Sequence, residues 1–151
     1  MKRIKIDRSK CISCLTCVTA CCVAHEGEDS RNRVVISSEG VNSPIFCRHC
    51  DLPECTFTCM TGAMNKDRET GYVNYNKNKC ASCYMCIMAC PYGVLKADRL
   101  TQKQIMKCDM CQSHPTKTPQ CVNRCPMEAI TLETVTELPC KRTKVSEVTA
   151  I

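Results

Sequence analysis

Tryptophan is absent from this 151-residue chain, which has only two Phe and four Tyr. Leu, Ile, Val and Phe are also too sparse to build the apolar core that a single domain of this length would use. No run of about 18 apolar residues is present, so no membrane-spanning helix is expected. The basic opening MKRIKIDRSK leads into Cys11 instead of an apolar stretch of about ten residues, and no twin-arginine signal appears. No secretory leader is therefore expected, and the chain reads as cytoplasmic unless a partner carries it elsewhere. Phosphate-binding G-x-G-x-x-G and P-loop patterns are missing too, as is any supported Ser/His/Asp constellation. Bond-making chemistry is not expected, and the chain reads as non-catalytic.

Cysteine is abundant, with 18 residues. At this density cysteine decides the architecture, either as disulfides or as metal–thiolate bonds. In a reducing cytosol, cysteines two or three residues apart point to metal. The formal charge of +6 invites a nucleic-acid reading. Sixteen thiolates around four cubane cores of about +2 each would add about −8, leaving roughly −2. Much of the Lys and Arg excess then balances metal centres, and no nucleic-acid partner is expected.

The cysteines fall into four groups. The first is Cys11, Cys14, Cys17 and Cys21; the third repeats its spacing as Cys80, Cys83, Cys86 and Cys90, with Pro91 following. The second is Cys47, Cys50, Cys55 and Cys59, and the fourth is Cys108, Cys111, Cys121 and Cys125, both with a longer middle loop. This is an internal repeat. Alternation predicts strands at Arg3–Asp7 and Tyr72–Tyr75, before the first and third groups, and at Ala63–Asn65 and Ala129–Leu132, after the second and fourth. Residues 63–75 read as a hairpin around Gly71. Short helices of one or two turns are predicted after each cluster loop, such as Leu15–Ala24 and Tyr84–Cys90, and a further strand at Val34–Ile36. From Thr136 the cysteine pattern stops and a polar tail, mobile or partner-docking, is expected.

A Cys-x2-Cys-x2-Cys loop curls three sulfurs onto one cube, and in two-cluster ferredoxins the next cysteine serves the other cluster. Structural zinc wants two separated ligand pairs, a different grouping. The expectation is four [4Fe–4S] clusters on sixteen cysteines. Strand logic favours nesting, with the strand before the first group pairing the strand after the fourth. One cluster then takes Cys11, Cys14, Cys17 and Cys125, and the second takes Cys108, Cys111, Cys121 and Cys21. The third takes Cys47, Cys50, Cys55 and Cys90, and the fourth Cys80, Cys83, Cys86 and Cys59. Pairing the first group with the second would keep the same sixteen ligands and change only which cluster each fourth cysteine serves. The predicted fold is α+β, with two bacterial-type dicluster ferredoxin units nested in sequence. Residues 1–30 plus 103–135 form one unit, 42–100 the other, and 136–151 the tail.

The residues also carry a resemblance. Cys80-Ala-Ser-Cys-Tyr-Met-Cys-Ile-Met-Ala-Cys-Pro-Tyr-Gly93, Lys107-Cys-Asp-Met-Cys111 and Cys121-Val-Asn-Arg-Cys-Pro126 follow a known pattern. From Met1 to about Val135 the chain resembles the four-cluster iron–sulfur subunits of larger oxidoreductases. Those subunits serve dimethyl sulfoxide reductase, formate dehydrogenase, formate hydrogenlyase and CO dehydrogenase. Ser30-Arg-Asn-Arg33, Pro44-Ile-Phe-Cys-Arg-His-Cys-Asp51 and Cys59-Met-Thr-Gly-Ala-Met64 look most like the CO dehydrogenase-associated branch. The resemblance implies the nested pairing and docking on a catalytic subunit. Electrons would pass from CO dehydrogenase to a flavoprotein oxidoreductase or hydrogenase. An electron-transfer subunit of a formate dehydrogenase or hydrogenase complex is the alternative, and a zinc-dependent structural or nucleic-acid-binding protein is the rival class. Cys22 and Met60 stand where proline commonly follows the fourth cysteine.

Cys22 reads as a small packed hydrophobe and Cys140 as a tail thiol, both outside the ligand set. His49, between Cys47 and Cys50, reads as a solvent-facing loop residue, with tuning of a cluster as the sharper reading. His25 and His114 show no companion ligand in sequence. Met60, Met85, Met88, Met106, Met110 and Met127 are expected to pack around the clusters. Arg48, Lys79 and Lys107 are either charge compensators or surface residues.

Overall fold

The computed structural model of the chain describes residues 1–27, 29–36, 38 and 40–135. The expected tail and Cys140 lie outside these residues. The fold is α+β, built from short pieces. Strand β1 (Lys2–Ile6) precedes helix α1 (Thr16–Ala24), and β2 (Arg33–Ile36) and β3 (Asn42–Ile45) follow. Next come α2 (Glu54–Phe57), β4 (Met64–Lys66), β5 (Val73–Tyr75), a 3-10 turn at Lys77–Lys79 and α3 (Met85–Ala89). Strands β6 (Lys96–Ala97) and β7 (Ile105–Met106), helix α4 (Gln120–Asn123) and β8 (Ile130–Thr134) complete the chain.

All four strand pairs are antiparallel and two-stranded: β1–β8, β2–β3, β4–β5 and β6–β7. The β1–β8 pair joins the two ends of the described chain, with Ile4 opposite Leu132 and Ile6 opposite Ile130. Ile4 and Ile130 turn inward while Lys5 and Glu133 face solvent and approach to 3.6 Å. Along β1 this is the period-2 alternation of a half-buried strand, whereas β8 is buried only at Ile130. The β4–β5 hairpin turns at Asp67, whose carboxylate accepts from the Glu69 N–H and the Thr70 hydroxyl at 2.9 and 2.7 Å. Gly71 supplies the positive φ (+73°) that closes the turn. Asp98 plays the same part in the β6–β7 hairpin, accepting from the Thr101 N–H and hydroxyl at 3.0 and 2.6 Å. That hairpin and strand β3 are too short or too polar to be marked by alternation. In β3, Pro44 is tolerated because the pair has no further neighbour.

Helices of four or five residues are far below the length that is stable alone. Tertiary contacts hold them: α1 packs on α4, and α2 on α3. Two small cores result. One joins Ile4, Phe46, Met110 and Ile130 with Cys17 and Cys121; the other joins Met64, Leu95 and Ile105 with Cys86. Cysteines are thus structural members of both cores. Among the described residues, no helix is long and apolar enough to cross a membrane.

Candidate metal centre

Each cysteine group is wrapped by a backbone feature that the spacing alone does not reveal. The residue before the second cysteine has a positive φ in all four: Ser13 (58°), His49 (45°), Ser82 (54°) and Met110 (57°). A left-handed residue there reverses the chain within the Cys-x2-Cys step and turns successive sulfurs inward. In the first and third groups Leu15 and Tyr84 repeat the conformation just before helices α1 and α3. Hydroxyl bonds brace the loops from outside. Ser13 donates to the Asn42 carbonyl at 2.5 Å, and Ser82 to the Lys103 carbonyl at 2.6 Å.

Around these loops the cysteines gather in fours. One cavity is lined by Cys11, Cys14, Cys17 and Cys125. A second is lined by Cys47, Cys50, Cys55 and Cys90. A third is lined by Cys59, Cys80, Cys83 and Cys86. The remaining four meet electrostatically: burial, then Cys21, Cys111 and Cys17, push the Cys121 thiol up to about 12. Burial also pushes the Cys108 thiol well up, with Cys47 and Cys121 contributing. Neighbouring sets touch in the same way. The Cys86 thiol is raised to about 11 by burial and by Cys55 across the α2–α3 contact. Cys17 is likewise raised to about 11 by burial and its neighbours Cys11 and Cys14.

Among the described residues all the cysteines are free thiols. Donors already point at several sulfurs: the Arg31 N–H at Cys21 (3.3 Å), the Met64 N–H at Cys59 (3.3 Å) and the Ser82 N–H at Cys80 (3.4 Å). Four thiols facing one space, with backbone donors behind the sulfurs, suit a multi-iron group that binds thiolates and accepts N–H···S bonds. The residues fit that group. Cys14 and Cys83 are the two exposed cysteines, one in the first set and one in the last.

Several single-residue expectations need correction. His49 does not face solvent: it is 0% exposed, because its loop is covered by β5 and Tyr72. Burial is the main cause holding its imidazole down to about 2, with Lys107 adding to it. His25 does have companions. Its ring nitrogen, the Asp109 carboxylate and the Cys111 sulfur lie within 4.8 Å of one another. Burial pushes up on Asp109, but Ser113, Arg31 at 2.8 Å and His25 outweigh it and hold the carboxyl at about 2. Met110 is buried, as expected. Met60, Met88, Met85 and Met127 are exposed, Met60 by 95%, since they sit on the outer side of their loops. Lys79 is exposed and Arg48 stacks over the Tyr92 ring at 4.4 Å, whereas Lys107 is buried. Cys22 is half-buried and lines none of the three cysteine cavities. Aligning the four groups by residue would have exposed the shared position of His49 and Met110; nothing in sequence marks His25, whose partner lies 84 positions away.

A short-element α+β fold whose cores are built on sets of four free cysteines defines the class of iron–sulfur electron-transfer proteins. Residues 38–135 match the family model for the 4Fe-4S dicluster domain, and the chain belongs to that family. It is 36% identical to NADH-dependent phenylglyoxylate dehydrogenase subunit beta of Aromatoleum evansii, over 78% of this chain and 28% of that protein. It is 30% identical to the electron transport protein HydN of Escherichia coli (strain K12), over 82% of this chain and 83% of HydN. Among solved structures it is similar to the active site complex BamBC of benzoyl coenzyme A reductase. That likeness has 23% identity and a TM-score of 0.47, covering 95% of this chain and 82% of the other. The chain thus spans little more than a quarter of the phenylglyoxylate dehydrogenase subunit and most of HydN.

Proposed function

We propose that the chain holds four [4Fe–4S] clusters on its sixteen patterned cysteines and relays electrons between a catalytic oxidoreductase subunit and a second redox protein. The observation that carries this is the gathering of cysteines from partnered groups, the fourth of each coming from the group across the strand pair. When bound, the clusters supply reversible one-electron storage. The chain's own residues hold the irons, donate N–H bonds to sulfur, and keep water from Cys17, Cys21, Cys86, Cys111 and Cys121. Cys14 and Cys83 lie at the surface in the first and last sets, which suits contact with a partner at each end. Electrostatic contacts between sets run from Cys86 to Cys55, from Cys47 to Cys108, and from Cys121 to Cys17, supporting a linear order between those ends.

CO dehydrogenase is the donor favoured by the sequence resemblance, with a flavoprotein oxidoreductase or hydrogenase as acceptor, in the cytoplasm. The chain itself would be non-catalytic. The similarity to a phenylglyoxylate dehydrogenase subunit favours a second reading, in which another dehydrogenase fills the donor's place. Anaerobic purification followed by iron and sulfide analysis tests the core of the proposal: about sixteen of each per chain is expected. Four or more zinc ions without sulfide would overturn it. Copurification with one catalytic subunit from native cells separates the two donors.

A further inference from the structure

The wall of the cavity lined by Cys47, Cys50, Cys55 and Cys90 contains one polar group that the described residues leave unmatched. His49 lines that cavity and is wholly buried. Its Nδ1 accepts the Val73 backbone N–H at 3.0 Å, so Nδ1 carries the lone pair and the proton of the ring sits on Nε2. A second proton on Nδ1 would face the Val73 donor, so the ring is neutral. Tyr72 packs edge-on with ring centroids 5.0 Å apart, fixing the ring plane. Nε2 is buried and has no hydrogen-bond partner among the described residues. A buried N–H without an acceptor is rare, and it points to an acceptor that the protein does not itself provide. At the equivalent positions of the other three groups stand Ser13 and Ser82, which spend their hydroxyls on carbonyls, and Met110, which has no donor.

We propose that the His49 Nε2–H donates a hydrogen bond to a sulfur of the iron–sulfur group held by Cys47, Cys50, Cys55 and Cys90, raising that group's reduction potential above that of its counterparts with Ser or Met at this position. This rests on the four-cluster reading above. A hydrogen bond to sulfur stabilises the more negative reduced state, which is why His49 acts as a tuning and positioning residue and not as a ligand.

The experiment uses the full chain, purified anaerobically with its metal. Iron and sulfide are measured first, and a chain that holds neither overturns the four-cluster reading and this inference with it. In a loaded chain, His49→Phe keeps the ring volume and removes the N–H, and one of four midpoint potentials should fall while the others hold. His49→Gln, whose amide can accept from Val73 and donate from its nitrogen, should restore it. Fully loaded His49→Phe protein with four unchanged midpoints overturns the inference. A second measurement does not touch His49. The chain has three histidines, and His25 lies 3.6 Å from the Cys111 sulfur. A His25→Phe, His114→Asn variant labelled with 15N-histidine therefore leaves His49 as the sole labelled ring. A 15N coupling in the pulsed electron paramagnetic resonance of the reduced protein supports the bond, and its absence overturns it.

Discussion

Arg3 in β1 and Asp51, directly after the second cysteine of the second group, form an ion pair at 2.6 Å. The same guanidinium reaches the His49 carbonyl at 3.4 Å, and Lys66 lies 3.8 Å from the same carboxylate oxygen. Lys66 also donates to the Cys50 and Asp51 carbonyls at 3.0 and 3.1 Å. The β1–β8 pair is thereby fastened to the loop of the second group. Because two cations share this carboxylate and Arg3 is only 20% exposed, Asp51→Ala should cost about 1–2 kcal/mol, more than an ordinary surface pair. The thermal midpoint of the loaded protein should fall by about 3–6 °C. Glu133→Ala, which breaks only the exposed 3.6 Å contact with Lys5, should shift it by about 1 °C or less. Equal shifts would show that the burial of Arg3 and the sharing of Asp51 count for nothing.

The pairing of groups makes a prediction that iron content alone would miss. Cys125→Ala should remove about four of sixteen irons, and the lost signal should match the one lost in Cys14→Ala, since both line one cavity. Under the alternative pairing, Cys125 would share a cluster with Cys83 instead. Redox titration of Cys125→Ala, Cys14→Ala and Cys83→Ala by electron paramagnetic resonance decides between them.

The cysteine spacing made the repeat, the short helices after the triplets and the β1–β8 and β4–β5 pairs legible, because each rests on residues close in sequence or on simple alternation. The bounds of helices α2 and α4 were not legible beyond the turn of helix expected after each cluster loop: four residues give no amphipathic period, and they are held by packing on α3 and α1. The burial of His49 was hidden for a similar reason. It depends on β5, 24 positions away, folding over the loop. Methionine next to cysteine misled, since a residue outside the curl of the loop, such as Met88, faces solvent however close it is in sequence.

Chelating the iron should unfold the chain. Its cores include Cys17, Cys86 and Cys121 among few large hydrophobic residues, and metal binding is coupled to folding where the site has no independent scaffold. Circular dichroism during anaerobic chelation should lose the helical signal in step with iron loss. A cooperative melt persisting in the metal-free chain would contradict this.

Lys107 is 5% exposed, its ammonium donates to the Cys108 carbonyl at 2.8 Å, and no carboxylate pairs with it among the described residues. It acts on Cys55 as well as Cys108, which places its charge between two cysteine sets. A buried cation without a protein counter-ion is costly unless a negative group lies nearby, and thiolate-bound iron–sulfur groups are negative. Lys107→Met should lower the potentials of the two inner groups by roughly tens of millivolts. Lys79→Met, at an exposed site, should leave all potentials in place, as water screens its charge.

Cys21 and Cys22 are adjacent in α1, yet the helix sends them to different neighbours about 100° apart around its axis. Cys21 is buried, takes an N–H bond from Arg31 at 3.3 Å, and is pushed up by burial and by Cys111. Cys22 is half-buried, and burial and Asp29 disfavour its thiolate. Asp29 is engaged through one carboxylate oxygen by Lys96 at 2.6 Å, so Cys22 stands beside an ion pair and lines none of the three cysteine cavities. Cys21→Ala should therefore lose about four irons, whereas Cys22→Ala should keep all sixteen and change stability by about 1 kcal/mol or less. Iron analysis and thermal midpoints of the two variants check this. Loss of iron in Cys22→Ala would move the ligand by one residue and rotate the required cysteine by about 100° around α1.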